Sequence, residues 1–208
     1  MKNTIKKTTV FILSAFLSLS VLAQPQIEGV DIEQTLTDDG DDLQLLGAGV
    51  RTKFFFDIYV ASLYTSGAFD PAVLQPSPKV RPAPNVELPD ENNFHMAVRL
   101  NIVTSLISAS RMANAVRAGF ERSAQDNLEP LQARLDQFIQ VFSGEEISKG
   151  DQFTLFGSLD EGVQAYKNGQ LVITVEGSDF YRALFGVWLG EDPVSASLKH
   201  EMLNHSPE

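Results

Sequence analysis

The chain contains no cysteine, which excludes disulfides, thiolate zinc sites and thiol nucleophiles. Histidine is nearly as scarce. His95 lies in a strand-like stretch, and His200 and His205 stand five apart beside Glu201 near the C-terminus. That spacing is poor for a shared metal, so no metal site is expected. Also missing are the G-x-S-x-G elbow, the P-loop, a G-x-G-x-x-G turn opening a helix, and H-E-x-x-H. Their absence argues against the common hydrolases and nucleotide-dependent enzymes, and no cofactor is expected.

Long apolar runs are missing too, except at the start. Lys2, Lys6 and Lys7 precede the apolar run Val10 to Leu22, and Val21-Leu22-Ala23 supplies the cleavage positions. Residues 1–23 read as a secretory signal peptide, and 24–208 as one domain. The run is shorter than the roughly 20 residues a bilayer needs, so no stable membrane insertion is expected after cleavage. Cleavage leaves 185 of the 208 residues, enough for one sizeable core. With no cysteine, the exported chain is expected in a bacterial periplasm.

Removing three lysines takes the formal charge from -11 to -14. A surface that acidic repels nucleic acid and anionic lipid headgroups, and no nucleic-acid partner is expected. One basic side chain in a cleft remains free to hold one acidic ligand.

Ile27 to Thr37 and Leu43 to Val50 look extended around TDDGDD (Thr37 to Asp42), which reads as a solvated turn because the EF-hand spacing is absent. Phe54 to Tyr64 and Phe94 to Val103 read as strands. Between them, residues 68–92 hold six of the ten prolines and read as a surface loop. Leu106, Ala109, Ala113, Val116 and Phe120 fall at helical spacing, with Arg111, Arg117, Glu121 and Arg122 around them. Leu128 to Phe142 carries a second apolar stripe. A strand over Gln152 to Leu159 precedes a hairpin turning at Asn168-Gly169. A third helix carries Phe180, Leu184 and Trp188, and Asp192 with Pro193 predicts the start of a fourth. Strands and helices in separate blocks predict an α+β fold, with helices on one face of an antiparallel sheet and room for a ligand between.

The chemistry concentrates in GAGVRTKFFFDIYVASLY, Gly47 to Tyr64. Arg51 stands beside Phe54, Phe55, Phe56 and Tyr59. It is a strand-end charge pointing to water, a catalytic cation, or an anchor for an acidic group. On one straight strand, Arg51 and Tyr59 would lie about 26 Å apart. They share a ligand only if the chain turns or bulges just after Arg51, which the Gly47-Ala48-Gly49 approach favours.

LLGAGVRTKFFFDIYVASLY resembles the segment of chalcone isomerase family proteins in which Gly-Val-Arg or Gly-Ile-Arg precedes an aromatic strand ending in Leu-Tyr. It is most similar to the bacterial exported branch. SRMANAVRAGFERS (Ser110 to Ser123) resembles that branch's first long helix, and VEGSDFYRALFGVWLGEDPVS (Val175 to Ser195) the family's later helix and turn. The resemblance implies an open-faced β-sandwich, with helices on one side of a large antiparallel sheet and a ligand cleft between. Plant enzymes of the family close a chalcone into a flavanone, and non-catalytic relatives bind fatty acids through an arginine and a tyrosine.

By that resemblance Arg51 takes the family arginine's place, and Tyr59 the position of a catalytic threonine in the enzymes or of tyrosine in the fatty-acid binders. The positions that carry tyrosine and asparagine in the enzymes fall near Ser108 and near Asn114 or Ala115, and Ser178 lies near a hydroxyl-bearing position. About four residues fewer separate the arginine from the strand end than in the plant enzymes, and the helix tyrosine is absent. The implied function is therefore non-catalytic binding of a small amphipathic acid, a fatty acid first, with Arg51, Tyr59, Ser108, Asn114 and Ser178 as ligand-binding residues. The alternatives are an isomerase or lyase using Arg51 and Tyr59 on a phenolic or enone substrate, and an accessory protein with no ligand.

Overall fold

The structure is a computed structural model that describes residues 25–38, 40–74, 94–124, 128–142 and 146–204. The leader expected over 1–23, most of the proline-rich segment and His205 lie outside them.

The first extended stretch is broken. β1 (Gln26–Ile27) and β2 (Val30–Asp31) form a small hairpin about Glu28-Gly29, with φ of 50° and 76°. Glycine tolerates this left-handed region, which interrupts the single strand expected over 27–37. Seven strands then build one sheet: β3 (Thr35–Asp38), β4 (Asp41–Lys53), β5 (Phe56–Thr65), β6 (His95–Ile102), β7 (Gln152–Ser158), β8 (Gly162–Lys167) and β9 (Gln170–Val175). Spatial order equals chain order and neighbouring strands are antiparallel, so the sheet is an open meander. The expected α+β architecture is the observed one.

α1 (Ala109–Ser123) and α2 (Gln132–Ile139) lie between β6 and β7; α3 (Ser178–Leu189) and α4 (Ala196–Leu203) follow β9. Two helix starts differ from the expected ones. α1 begins after Ser108, whose hydroxyl accepts from the Arg111 N–H at 3.3 Å. That leaves Leu106 outside the helix and half exposed. α4 begins after Ser195, whose hydroxyl accepts from the Leu198 N–H at 3.3 Å. Asp192 and Pro193 precede the helix, because it is Ser195 whose extended backbone aims an oxygen at the first free N–H groups.

Alternation along the strands separates two faces. Tyr59, Ala61 and Leu63 of β5, Met96, Val98 and Leu100 of β6, and Phe153 and Leu155 of β7 join one core with Phe120, Phe138, Phe180 and Trp188 from the helices. The opposite face carries a smaller cluster of Leu36, Leu43, Tyr64, Ala97 and Phe156. The N-terminal segment ties onto it. Tyr64 donates to the Glu33 carbonyl at 3.0 Å, and Arg99 to the Glu33 carboxylate at 2.8 Å. β5 is thus covered on both sides, as its two apolar faces predict.

β4 extends well past its pairing with β3, which ends at Gln44. α4 lies against the remainder. The Val50 N–H donates to the Glu201 carboxylate at 3.1 Å, so a helix side chain satisfies part of an otherwise open strand edge. Gly47 and Gly49 permit the approach. A Cβ on Gly47 would stand 2.5 Å from the Glu201 carbonyl oxygen, and one on Gly49 would overlap the Glu201 side chain.

Between β4 and β5 the chain reverses in two residues, Phe54 and Phe55, with φ of 49° and 68°. Asn168-Gly169, between β8 and β9, uses the same geometry at 50° and 77°. The dipeptide expected to turn does turn. The Phe54-Phe55 turn falls inside the aromatic run expected to be strand, and it holds two side chains that disfavour positive φ.

Two stability outcomes follow from these close approaches. Gly47→Ala is expected to push α4 from β4 and lower stability by about 1–3 kcal/mol in urea unfolding, and an unchanged midpoint would contradict that packing. Phe55→Gly is expected to raise stability by about 0.5–1 kcal/mol. Relief of left-handed strain, about 1–2 kcal/mol, exceeds glycine's extra unfolded freedom; a lowered midpoint would count against strain at this turn.

Candidate functional site

The hairpin makes Arg51 of β4 and Tyr59 of β5 direct cross-strand partners. Such partners have Cβ atoms about 4.5–5.5 Å apart on one face of the sheet. Eight residues of sequence collapse to one rung of the ladder, which meets the condition that the chain must turn just after Arg51. The register also slips between Arg51↔Tyr59 and Thr52↔Asp57, leaving Ile58 as an extra residue on β5. A bulge of this kind re-aims the side chains beside it.

The pair borders a cavity of about 760 Å³ between sheet and helices, well within the range of small-molecule sites. Leu100 and Leu155 from the strands, Met112 and Val116 from α1, and Phe138 and Phe142 from the α2 region supply apolar walls. Arg51, Lys53, Arg111 and Arg122 also line it, and among the described residues no aspartate, glutamate or histidine does. In a chain with 27 acidic and 16 basic residues, that is a reversal of the overall charge.

Tyr59 is 8% exposed. Its hydroxyl accepts from the Trp188 indole N–H at 3.1 Å, which leaves its own proton for another acceptor. Burial raises its pKa, while the Trp188 hydrogen bond and the Arg51 charge oppose the rise. Tyr59 is therefore a neutral donor at ordinary pH. Arg51 donates from Nη1 to the Thr52 carbonyl and has no carboxylate partner among the described residues. The rest of its donor fork remains for an anion.

Trp188 reaches Tyr59 because α3 is anchored at its start. Arg134 of α2 meets both oxygens of Asp179 at 2.8 and 2.6 Å and the Glu176 carbonyl at 3.0 Å. The Arg134 guanidinium holds the Asp179 carboxyl below its usual range.

The expected site residues divide. Arg51, Tyr59 and Asn114 line the cavity, whereas Ser108 and Ser178 are not among its lining residues. Ser108 caps α1, and Ser178 accepts from Arg182 Nη1 at 3.1 Å. One hydroxyl caps a helix, and the other meets a side chain one turn along its own helix. Trp188 was expected only as a core residue of its helix. Arg111 and Arg122, expected on the outer surface of the first helix, line the open side of the cavity with Asn114, Ala115 and Ala118. Their spacings of three, four and eleven residues place them along one side of a helix. The signal available in sequence was that paired arginine spacing flanking small alanines.

The described residues contain no group of three or more metal-ligating side chains, and no described helix is long and apolar enough to cross a membrane.

Fold and site together define an α+β protein of the open-faced β-sandwich class, with a cation-lined apolar cavity between its sheet and helices. The sequence matches the chalcone isomerase-like family over residues 23–204, and the chain belongs to that family. Among solved structures it is similar to a fatty-acid binding protein of Arabidopsis thaliana. The TM-score is 0.63 and the identity 19%, covering 85% of this chain and 92% of that one. Comparison with curated protein sequences gives no match.

Three tyrosines make the fold sensitive to alkali. Burial pushes Tyr64 up to about 12 and raises Tyr59 and Tyr181 as well. A raised folded value means that neutral tyrosine is favoured in the folded state. This stability is fully present below the free value of about 10 and is lost as pH climbs through the folded values. Ultraviolet titration of the folded protein should show these three ionising late, with one late proton gone in Tyr59→Phe. Normal titration of every tyrosine would refute the burial described.

Proposed function

We propose that this chain is a non-catalytic binding protein for a fatty acid, exported by residues 1–23 and working in a bacterial periplasm. The carrying observation is the cavity itself: among the described residues it has apolar walls, four cationic side chains and no carboxylate. An anion with an apolar tail matches it at both ends. Arg51 holds the carboxylate through a charge-assisted pair, Tyr59 donates its free proton to the same group, and the tail runs along Leu100, Met112 and Phe138. Asn114 stands at the open side as a further donor. The fatty-acid binding protein of Arabidopsis thaliana that shares this fold supports the ligand class. Among the described residues no lining carboxylate or imidazole stands ready to take a proton, which supports binding over catalysis.

The test is to purify the mature protein, extract it with organic solvent and identify what is released by mass spectrometry. A fatty acid is expected from the wild type and not from Arg51→Ala. Fluorescence of Trp188, the only tryptophan, should change on titration with fatty acid. Arg51→Ala should weaken the measured affinity by about ten- to a hundredfold, the worth of a hydrogen bond to a charged group. A wild-type protein that is empty and ignores added fatty acid overturns the proposal. Turnover of a chalcone, lost in Arg51→Ala, would replace it with the isomerase reading.

A further inference from the structure

The β4–β5 hairpin ends in three consecutive exposed phenylalanines. Phe55 is fully exposed, Phe54 79% and Phe56 55%. Leu106, 50% exposed, lines the cavity together with Phe54 and Phe56, while Phe55 stands at the apex of the turn outside the lining. Four of the six exposed large apolar side chains among the described residues are therefore at or next to one opening. Folding does not account for them. They bury little, and two of them occupy left-handed positions where the chain's other two-residue turns, Glu28-Gly29 and Asn168-Gly169, use glycine second.

The charge beside the tip is positive. Lys53 Nζ lies 5.7 Å from the Phe54 ring centroid, and Arg51, Arg111 and Arg122 line the same cavity. The hairpin's own carboxylate, Asp57, is engaged by the Thr52 hydroxyl at 2.7 Å. An apolar projection with adjacent cations matches the interfacial zone of a phospholipid bilayer, where acyl chains lie beneath phosphates. The net negative charge of the whole chain orients that pole toward the phosphates and opposes any other approach.

We propose that the Phe54–Phe56 tip docks into the interface of a phospholipid bilayer, with Lys53 at the phosphates, so that a fatty acid passes between membrane and cavity without crossing water. The docking surface is read from the tip alone, whereas the transfer step rests on the fatty-acid function proposed above. A membrane is favoured over a protein partner because the exposed phenylalanines are continuous with the opening through which an apolar tail must enter.

The experiment uses the mature protein and vesicles of phosphatidylethanolamine with phosphatidylglycerol, read by co-sedimentation. Wild type is expected to partition onto the vesicles. Phe55→Ser should partition about tenfold less, the effect of withdrawing one aromatic side chain from an apolar contact. Its affinity for a fluorescent fatty acid in solution should be unchanged, because Phe55 does not line the cavity. Phe55→Gly serves as the folding control: it should lose partitioning while its Tm rises. Docking is overturned if wild type ignores the vesicles, if Phe55→Ser partitions equally, or if Phe55 instead drives self-association without vesicle binding. A wild type that binds fatty acid but ignores vesicles overturns docking alone. One that partitions through Phe55 yet binds no fatty acid upholds docking and overturns the ligand reading.

Discussion

The pairing of Arg51 with Tyr59 across the β4–β5 hairpin is the constraint on which the site depends. A guanidinium and a phenol can serve one anion only if the backbone holds them on the same face within a few ångströms. A two-residue turn sets that register, and the bulge at Ile58 adjusts it. The neighbouring elements hold the pair in place. α4 covers the outer edge of β4 through Glu201, and α3 brings Trp188 onto the Tyr59 hydroxyl. A side-chain network of this kind fixes geometry more firmly than any single contact.

Electrostatics then divides the molecule. The chain as a whole is acidic, while the cavity gathers cations and no described carboxylate lines it to neutralise them. Arg51 suits a half-buried position because its charge is not lost on desolvation and its planar fork matches a carboxylate. Tyr59 complements it for the opposite reason. Burial keeps the phenol neutral, so it donates a proton without adding a second charge that would have to be stabilised.

Stability and site geometry conflict at the hairpin tip. Glycine would fit positive φ, as it does at Gly29 and Gly169, yet phenylalanines hold the positions bordering the cavity. Strain kept where a ligand enters is a common mark of a functional segment. Elsewhere the chain follows the local rules: Ser108 and Ser195 cap their helices, and Asn168-Gly169 turns its hairpin.

Much of this was legible in sequence because it depends on neighbours along the chain. Runs of strand-forming residues placed β5, β6 and β7. Helical spacing placed α1 to α3, and the block order of strands and helices set the α+β class. The family pattern about Arg51 was readable because Gly47 and Gly49 are dictated by a close approach that tolerates no side chain. What sequence could not decide was distance between residues far apart in the chain. Phe54 and Phe55 are strand formers by propensity, and only the pairing of β4 with β5 forces them into a turn. Ser108 and Ser178 carry hydroxyls suited to a site, but the first caps α1 and the second accepts from Arg182. Arg111 and Arg122 looked like surface charges until the sheet curved beneath α1. Trp188 meets Tyr59 across 129 residues, a contact that local pattern cannot express. The residues and their chemistry were set by the sequence. Which of them face one another was decided by tertiary packing, since hydrogen bonds and charge pairs act over a few ångströms of space and not over positions in a chain.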